Sequence, residues 1–211
     1  IGFGRDETGS RELEVTPPEG EIFRKSMGVR ARDYAIERVD GLPPSTVTPD
    51  PAATARIRED ARMVSTARQH RDKQSYYTRG FIWPARGRIS GVYGSQRVLN
   101  GEPRRPHFGL DIAAPTGTDV HAPADGLITM THPDMYFSGG TIILDHGQGL
   151  SSTFLHLSEI LTEAGYFVKQ GELIGRIGAT GRASGPHLDW RMNWLDRRVD
   201  PQPLLPSMDT P

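Results

Sequence analysis

Between His187 and Trp194 apolar and polar residues alternate without a break, with Leu188, Trp190, Met192 and Trp194 on one side and His187, Asp189, Arg191 and Asn193 on the other. Side chains of an extended chain point to opposite faces in turn, so this predicts a strand with one packed face and one wholly polar face. A polar face that holds His and Asp is a place for chemistry. A hairpin is legible in Thr141 to Asp145, a turn at His146-Gly147-Gln148-Gly149, and a return from Ser152 to Leu157. The same glycine-spaced texture, with almost no helical period, begins at Gly80 with Phe81-Ile82-Trp83-Pro84 behind it and runs to about Asp196.

Upstream, residues 11–42 carry short mixed runs (Leu13 and Val15, Phe23 to Val29, Tyr34 to Val39) punctuated by Pro17-Pro18-Glu19-Gly20 and Gly41, which read as a few strands of a small sheet. Leu42 to Pro51 follows, and its prolines at 43, 44, 49 and 51 forbid a central strand and favour an extended linker. Asp50 offers a carboxylate N-cap and Pro51 a first-turn proline, with Ala53, Ile57, Ala61 and Val64 at helical spacing behind them. One helix over about 51–70 is expected, with Arg56, Arg58, Glu59, Asp60 and Arg62 on solvated faces. The expected organisation is a small β-rich N-terminal domain over 1–43, a proline-rich linker and helix over 44–79, a chemical domain over 80–200 and a tail over 201–211.

Composition narrows the class. The 211 residues include 24 glycines and 17 prolines, with 36% hydrophobic residues, which fits a packed, mainly β protein rich in turns. A net charge of −1 gives no global field toward nucleic acid or an anionic membrane, so no nucleic-acid partner is expected and partners must be read from a site. The absence of cysteine removes disulfides, thiolate nucleophiles and Cys-rich zinc clusters. No uncharged apolar run approaches the ~18 residues of a membrane span. The start at Ile1-Gly2-Phe3-Gly4, without an initiator Met or a signal-peptide pattern, is read as a processed or trimmed N-terminus.

Candidate chemistry gathers at three places. His107-Phe108-Gly109-Leu110-Asp111 sets an imidazole and a carboxylate four residues apart, on one side of the chain if the segment is extended. Gly109 leaves the intervening position bare, as an approaching ion or substrate would need. His187 and Asp189 form a second pair on one strand face, and His156 lies on the return strand of the hairpin. Each has a plain reading: a lone His near a strand end is usually hydrogen-bonded, and an Asp on a polar strand face usually meets solvent or an Arg. The H-x-x-x-D spacing also arises too readily by chance to prove anything alone. Jointly the residues offer His, Asp and Asp as ligands with two further imidazoles, which resembles a catalytic zinc site with three protein ligands. No H-E-x-x-H, G-x-S-x-G or phosphate-binding loop is present.

The order His107-x-x-x-Asp111, then Phe154-Leu155-His156-Leu157-Ser158, then Gly178-x-Thr180-Gly181-Arg182-x-x-Gly185-Pro186-His187-Leu188, resembles the lysostaphin-type zinc metallopeptidases, peptidase family M23 with its LytM-like domains. Gly87-Arg88-Ile89-Ser90-Gly91-x-Tyr93-Gly94, Ala122-Pro123-Ala124-Asp125-Gly126 and Val168-x-x-Gly171-x-x-Ile174-Gly175 are similar to its flanking segments. The resemblance covers roughly residues 80–196. It implies an antiparallel β-sheet groove that binds cell-wall peptide, preceded here by the small β-rich region and one linking helix. It implies a zinc ion that hydrolyses peptide cross-links of bacterial peptidoglycan, in the periplasm or cell envelope. His107 and Asp111 match the H-x-x-x-D metal ligands, and His156 and His187 match the two catalytic histidines. One position departs: where the family's final H-x-H has its second histidine, this chain has Asp189, which as a carboxylate can stand as the third zinc ligand.

The alternative is a degenerate M23-like domain that binds cell wall or regulates a cell-wall amidase without hydrolysis. Retention of four of the five chemical positions, with the fifth changed to another ligand type, favours the enzyme. A structural zinc site is disfavoured because such sites are closed, Cys-rich shells. His70, His121, His132 and His146 are read as bystanders, His146 with a turn role or a surface position. Trp83, Trp190 and Trp194 are read as core.

Overall fold

The computed structural model describes residues 3–39 and 53–208; the stretch read as a proline-rich linker, with the Asp50 cap and Pro51, lies outside the described residues. The N-terminal runs form β1 (Gly9–Val15) and β2 (Phe23–Val29), an antiparallel hairpin that is largely exposed. Strand β3 (Ile36–Val39) leaves that hairpin and joins a separate three-stranded sheet. Helix α1 (Thr54–Ala67) comes next. Its packed stripe is Met63, Val64 and Ala67 against Met130, Met135 and Ile143, while Ala61 is exposed. The charged faces are not all solvated as expected. Arg56 meets the Asp134 carboxylate at 2.8 Å, and Asp60 accepts the Tyr136 backbone N–H at 2.7 Å, so two charges dock the helix onto the sheet.

The remaining strands are β4 (Arg88–Gly91), β5 (Gln96–Leu99), β6 (Glu102–Pro103), β7 (Leu110–Ala113) and β8 (Asp119–His121). After them come β9 (Gly126–Met135), β10 (Gly139–Asp145), β11 (Leu150–Ile160), β12 (Phe167–Val168), β13 (Leu173–Ile177), β14 (His187–Trp194) and β15 (Arg197–Val199). Strand β5 pairs in parallel with β3 and antiparallel with β6. The main sheet is antiparallel with the order β12-β9-β10-β11-β14-β7-β4, and β13, β8 and β15 attach at its margins.

Strand β14 confirms the alternation read from the sequence. Leu188, Trp190 and Met192 are fully buried, in one cluster with Leu110, Ile112, Phe154 and Ile174. Burying side chains of this size stabilises by about 1.5–3 kcal/mol each, which fixes the register of the strand. Trp83 packs on the edge of this core, and Trp194 is half-buried. The hairpin of β10 and β11 is present as expected, but His146 in its turn is wholly buried, not at the surface. Its Nδ1 lies 2.9 Å from the Asp125 carbonyl and its Nε2 2.8 Å from Ser152 Oγ, and the Phe81 ring meets it edge-on. Burial lowers its pKa to about 4 against the pull of the Asp125 carbonyl and the Asp145 charge, so it is a neutral core histidine.

Candidate metal centre

The polar face of β14 lies between β11 and β7, and its register brings the acidic groups together. Asp189 is the direct partner of Asp111 on β7 and of Leu155 on β11. His107 does not share a strand with Asp111, as an extended reading supposed. It precedes β7 in an irregular segment, pinned by its N–H to the Ser95 carbonyl and its C=O to the Gly94 N–H. The two side chains still converge, with His107 Nε2 3.1 Å from Asp111 Oδ1. One ligand atom each from His107, Asp111 and Asp189 lie within 4.8 Å of one another. His107 Nε2 and Asp111 Oδ1 are buried and, though close, are not aligned for a hydrogen bond. Two buried ligand-type atoms without a hydrogen bond, beside a third carboxylate, suit a cation, so the residues present fit a metal ion. Burial works against charge on His107, but the Asp111 contact and the Asp189 charge outweigh it and raise its pKa.

His156 and His187 stand beside this cluster with ring centroids 4.8 Å apart. His156 Nδ1 donates to the Thr180 carbonyl and His187 Nδ1 to the Gly185 carbonyl, both at 2.8 Å. A carbonyl can only accept, so each ring keeps its proton on Nδ1 and leaves Nε2 bare. His187 Nε2 lies 3.9 Å from Asp111 Oδ1. Burial lowers the pKa of His156 despite the Thr180 contact. His156 also has a φ of 65°, in the left-handed region that non-glycine residues rarely adopt. The reason is topological. Strand β11 pairs with β14 as far as Leu155 and with β13 from Leu157 onward, and His156 is the hinge residue between the two partners.

Glycines make the close approaches possible, though not as the sequence suggested for Gly109. A Cβ there would lie 2.2 Å from Asp189 Oδ1 and 2.8 Å from Arg191 Cγ, so the room it leaves is filled by its own neighbours and not by an incoming ion or substrate. A Cβ at Gly91 would lie 2.3 Å from Asp111 Oδ2. In the sequence Gly91 figured only in a flanking segment and Thr180 only as a member of the third motif, with neither role visible. Arg191 was not singled out there either. Asp189 is 2% exposed, and Arg191 donates to it from Nε, at 3.0 Å to each oxygen, and from Nη2, at 2.5 Å to Oδ2. Burial would raise the Asp189 pKa, but the Arg191 charge and hydrogen bonds win and hold it below the usual carboxylate range. The positive charge continues behind this pair. Arg68 at the end of α1 donates to Thr153 Oγ1, the cross-strand neighbour of Arg191, and Arg198 donates to Asn193 Oδ1.

The family model described as Peptidase family M23 matches residues 105–201, which span His107, Asp111, His156, His187 and Asp189. A solved structure of a Pseudomonas aeruginosa protein assigned to peptidase M23 superposes with a TM-score of 0.72 at 31% identity, covering 92% of this chain and 72% of that one. The chain belongs to peptidase family M23. Its mainly antiparallel β architecture is that of the M23 peptidases, and membership implies a metal cofactor. Among the relatives of this M23 chain is the peptidoglycan DD-endopeptidase ShyA of Vibrio cholerae, 35% identical over 147 residues, 64% of this chain and 34% of that protein. A zinc-containing peptidase from Vibrio cholerae superposes with a TM-score of 0.54 at 29% identity, covering 66% of this chain and 41% of that one. The chain spans about a third or less of the length of the curated relatives it matches. Among the described residues no helix is long and apolar enough to cross a membrane.

Proposed function

We propose that the protein is a zinc-dependent endopeptidase that hydrolyses peptide cross-links of bacterial peptidoglycan in the periplasm or cell envelope. The observation that carries this reading is the convergence of His107, Asp111 and Asp189 beside two imidazoles whose Nε2 atoms are bare. His107 Nε2, an Asp111 oxygen and an Asp189 oxygen would hold the ion, with Asp189 in the place of the family's second H-x-H histidine. When bound, zinc supplies Lewis acidity, which makes a water nucleophilic near neutral pH and polarises the scissile carbonyl. The rest falls to the two histidines. A neutral ring accepts the proton of the attacking water at Nε2, and a ring protonated there donates a hydrogen bond to the tetrahedral oxyanion. The backbone carbonyls of Thr180 and Gly185 hold both rings in orientation for these roles. Similarity to a peptidoglycan DD-endopeptidase and to a zinc-containing peptidase supports the substrate and the metal.

The test is elemental analysis of the purified chain together with a digest of isolated cell wall resolved by mass. About one zinc per chain and conversion of cross-linked fragments to monomers are expected. No metal uptake near neutral pH, or an intact cross-link profile with metal bound, overturns the reading.

A second reading has an observation of its own, the engagement of Asp189 by Arg191. A degenerate M23 domain that binds cell wall or regulates a cell-wall amidase would sediment with peptidoglycan and leave its cross-links intact.

A further inference from the structure

The carboxylate that completes the ligand triad already has a cation. Arg191 follows Asp189 on the same face of β14 and holds both of its oxygens, whereas His107 Nε2 and Asp111 Oδ1 across the strand pair have no hydrogen bond. We propose that the Arg191 guanidinium is a built-in competitor for the metal: it neutralises Asp189 in the metal-free chain and must swing outward before Asp189 can join His107 and Asp111 on an ion. The inference rests on the proposed ligand set and adds a device that controls it.

Four features of the site support a competitor over a bystander. Both Asp189 oxygens accept hydrogen bonds from one planar fork, the geometry in which a guanidinium binds a carboxylate best. Gly109 supplies the space, since a Cβ there would collide with both Asp189 Oδ1 and Arg191 Cγ. Behind Arg191 the surroundings are cationic. Thr153, its cross-strand partner, already takes a hydrogen bond from Arg68, and Arg198 sits on Asn193 two residues along the face. A guanidinium dislodged from Asp189 therefore has no counter-charge in that direction. A divalent ion and the guanidinium cannot occupy the same carboxylate without strong like-charge repulsion at short range. The Arg191 side chain keeps 27% exposure, which leaves it a route to solvent.

The test is a zinc titration against a chromophoric chelator for the wild-type chain, Arg191→Met and Arg191→Gln, with folding checked by circular dichroism. Removing the competing charge should tighten zinc binding by about tenfold or more in both variants. Zinc should also raise the melting temperature of Arg191→Met more than that of the wild type, because the ion then neutralises an otherwise unpaired Asp189. Should Arg191→Met fail to fold, Arg191→Gln retains a donor for Asp189 without the charge and gives the same comparison. Equal or weaker zinc affinity in the folded variants overturns the competitor role. A His107→Ala chain separates this from failure of the ligand set. If His107→Ala abolishes zinc binding while the Arg191 variants match the wild type, only the competitor role falls. If His107→Ala binds zinc like the wild type, the ligand set itself is wrong and the inference falls with it.

Discussion

Asp111 and Asp189 are direct cross-strand partners in the antiparallel pairing of β7 with β14, two carboxylates set side by side on a sheet. Like charges in that relationship repel, so each must find a cation or a proton. Asp189 has Arg191, and Asp111 has the imidazoles of His107 at 3.1 Å and His187 at 3.9 Å beside it.

The two carboxylates should therefore respond differently to neutralisation. Asp111→Asn removes the repulsion without touching the Arg191 pair, and its metal-free stability should stay within about 0.5 kcal/mol of the wild type. Asp189→Asn and Asp189→Ala take the carboxylate partner from Arg191, which can still turn to solvent, and should cost more, about 1–3 kcal/mol. All three should lose most zinc affinity. Urea midpoints and chelator competition check both halves; stoichiometric zinc in Asp189→Ala would remove Asp189 from the ligand set.

His156→Ala and His187→Ala should each retain zinc while hydrolysis of cell-wall cross-links drops by about 10²–10⁴. Neither side chain belongs to the converging ligand group. Metal content measured beside turnover checks the separation, and loss of zinc from His187→Ala would show that the wrong member of the His187 and Asp189 pair is assigned to the metal.

Gly109→Ala and Gly91→Ala test the site through space alone, because neither glycine has a positive φ. The added methyl would meet Asp189 Oδ1 at 2.2 Å in the first and Asp111 Oδ2 at 2.3 Å in the second. Each should weaken zinc binding by about tenfold or more, since a ligand atom displaced by a few tenths of an ångström leaves the range that metal coordination tolerates. Unchanged affinity would mean that these carboxylates move freely and are not positioned by the glycines.

Stability should fall in acid through His146, which is outside the ligand group. Burial among the Asp125 carbonyl, Ser152 and Phe81 lowers its folded pKa to about 4. The unfolded chain, with an ordinary imidazole near ~6.5, then binds more protons between these two values. The stabilisation is complete above ~6.5 and is lost as pH falls toward 4, by about 2 kcal/mol between pH ~7.5 and ~5. Urea unfolding at several pH values should show this slope in the wild type and a flatter one in His146→Gln. Equal slopes would mean that His146 does not set the acid sensitivity.

Strand β14 was legible because period-2 alternation is a property of the backbone, and the fully buried Leu188, Trp190 and Met192 left no second register open. The β10–β11 hairpin was legible for the same reason, reinforced by Gly147 and Gly149, both at positive φ. Arg191 stayed hidden because a charged residue on a polar face gives no sign of which carboxylate it will meet. That depends on the absent side chain at Gly109, which lies just before β7 and about 80 residues upstream. Helix α1 was found by its period, but its docking by Arg56 and Asp60 depends on Asp134 and Tyr136, more than 70 residues away. The parallel pairing of β3 with β5 joins segments separated by the whole of α1, a non-local match that no local pattern announces.

Because β14 carries core anchors and reactive groups on alternate residues, folding itself proofreads the site. A slip of one residue would turn Trp190 to the polar side and drive Asp189 and Arg191 into the cluster of Leu110, Ile112 and Phe154. Such a chain has no stable core to fall back on. A misassembled centre is therefore eliminated as an unfolded protein before it could persist as a folded but chemically scrambled one.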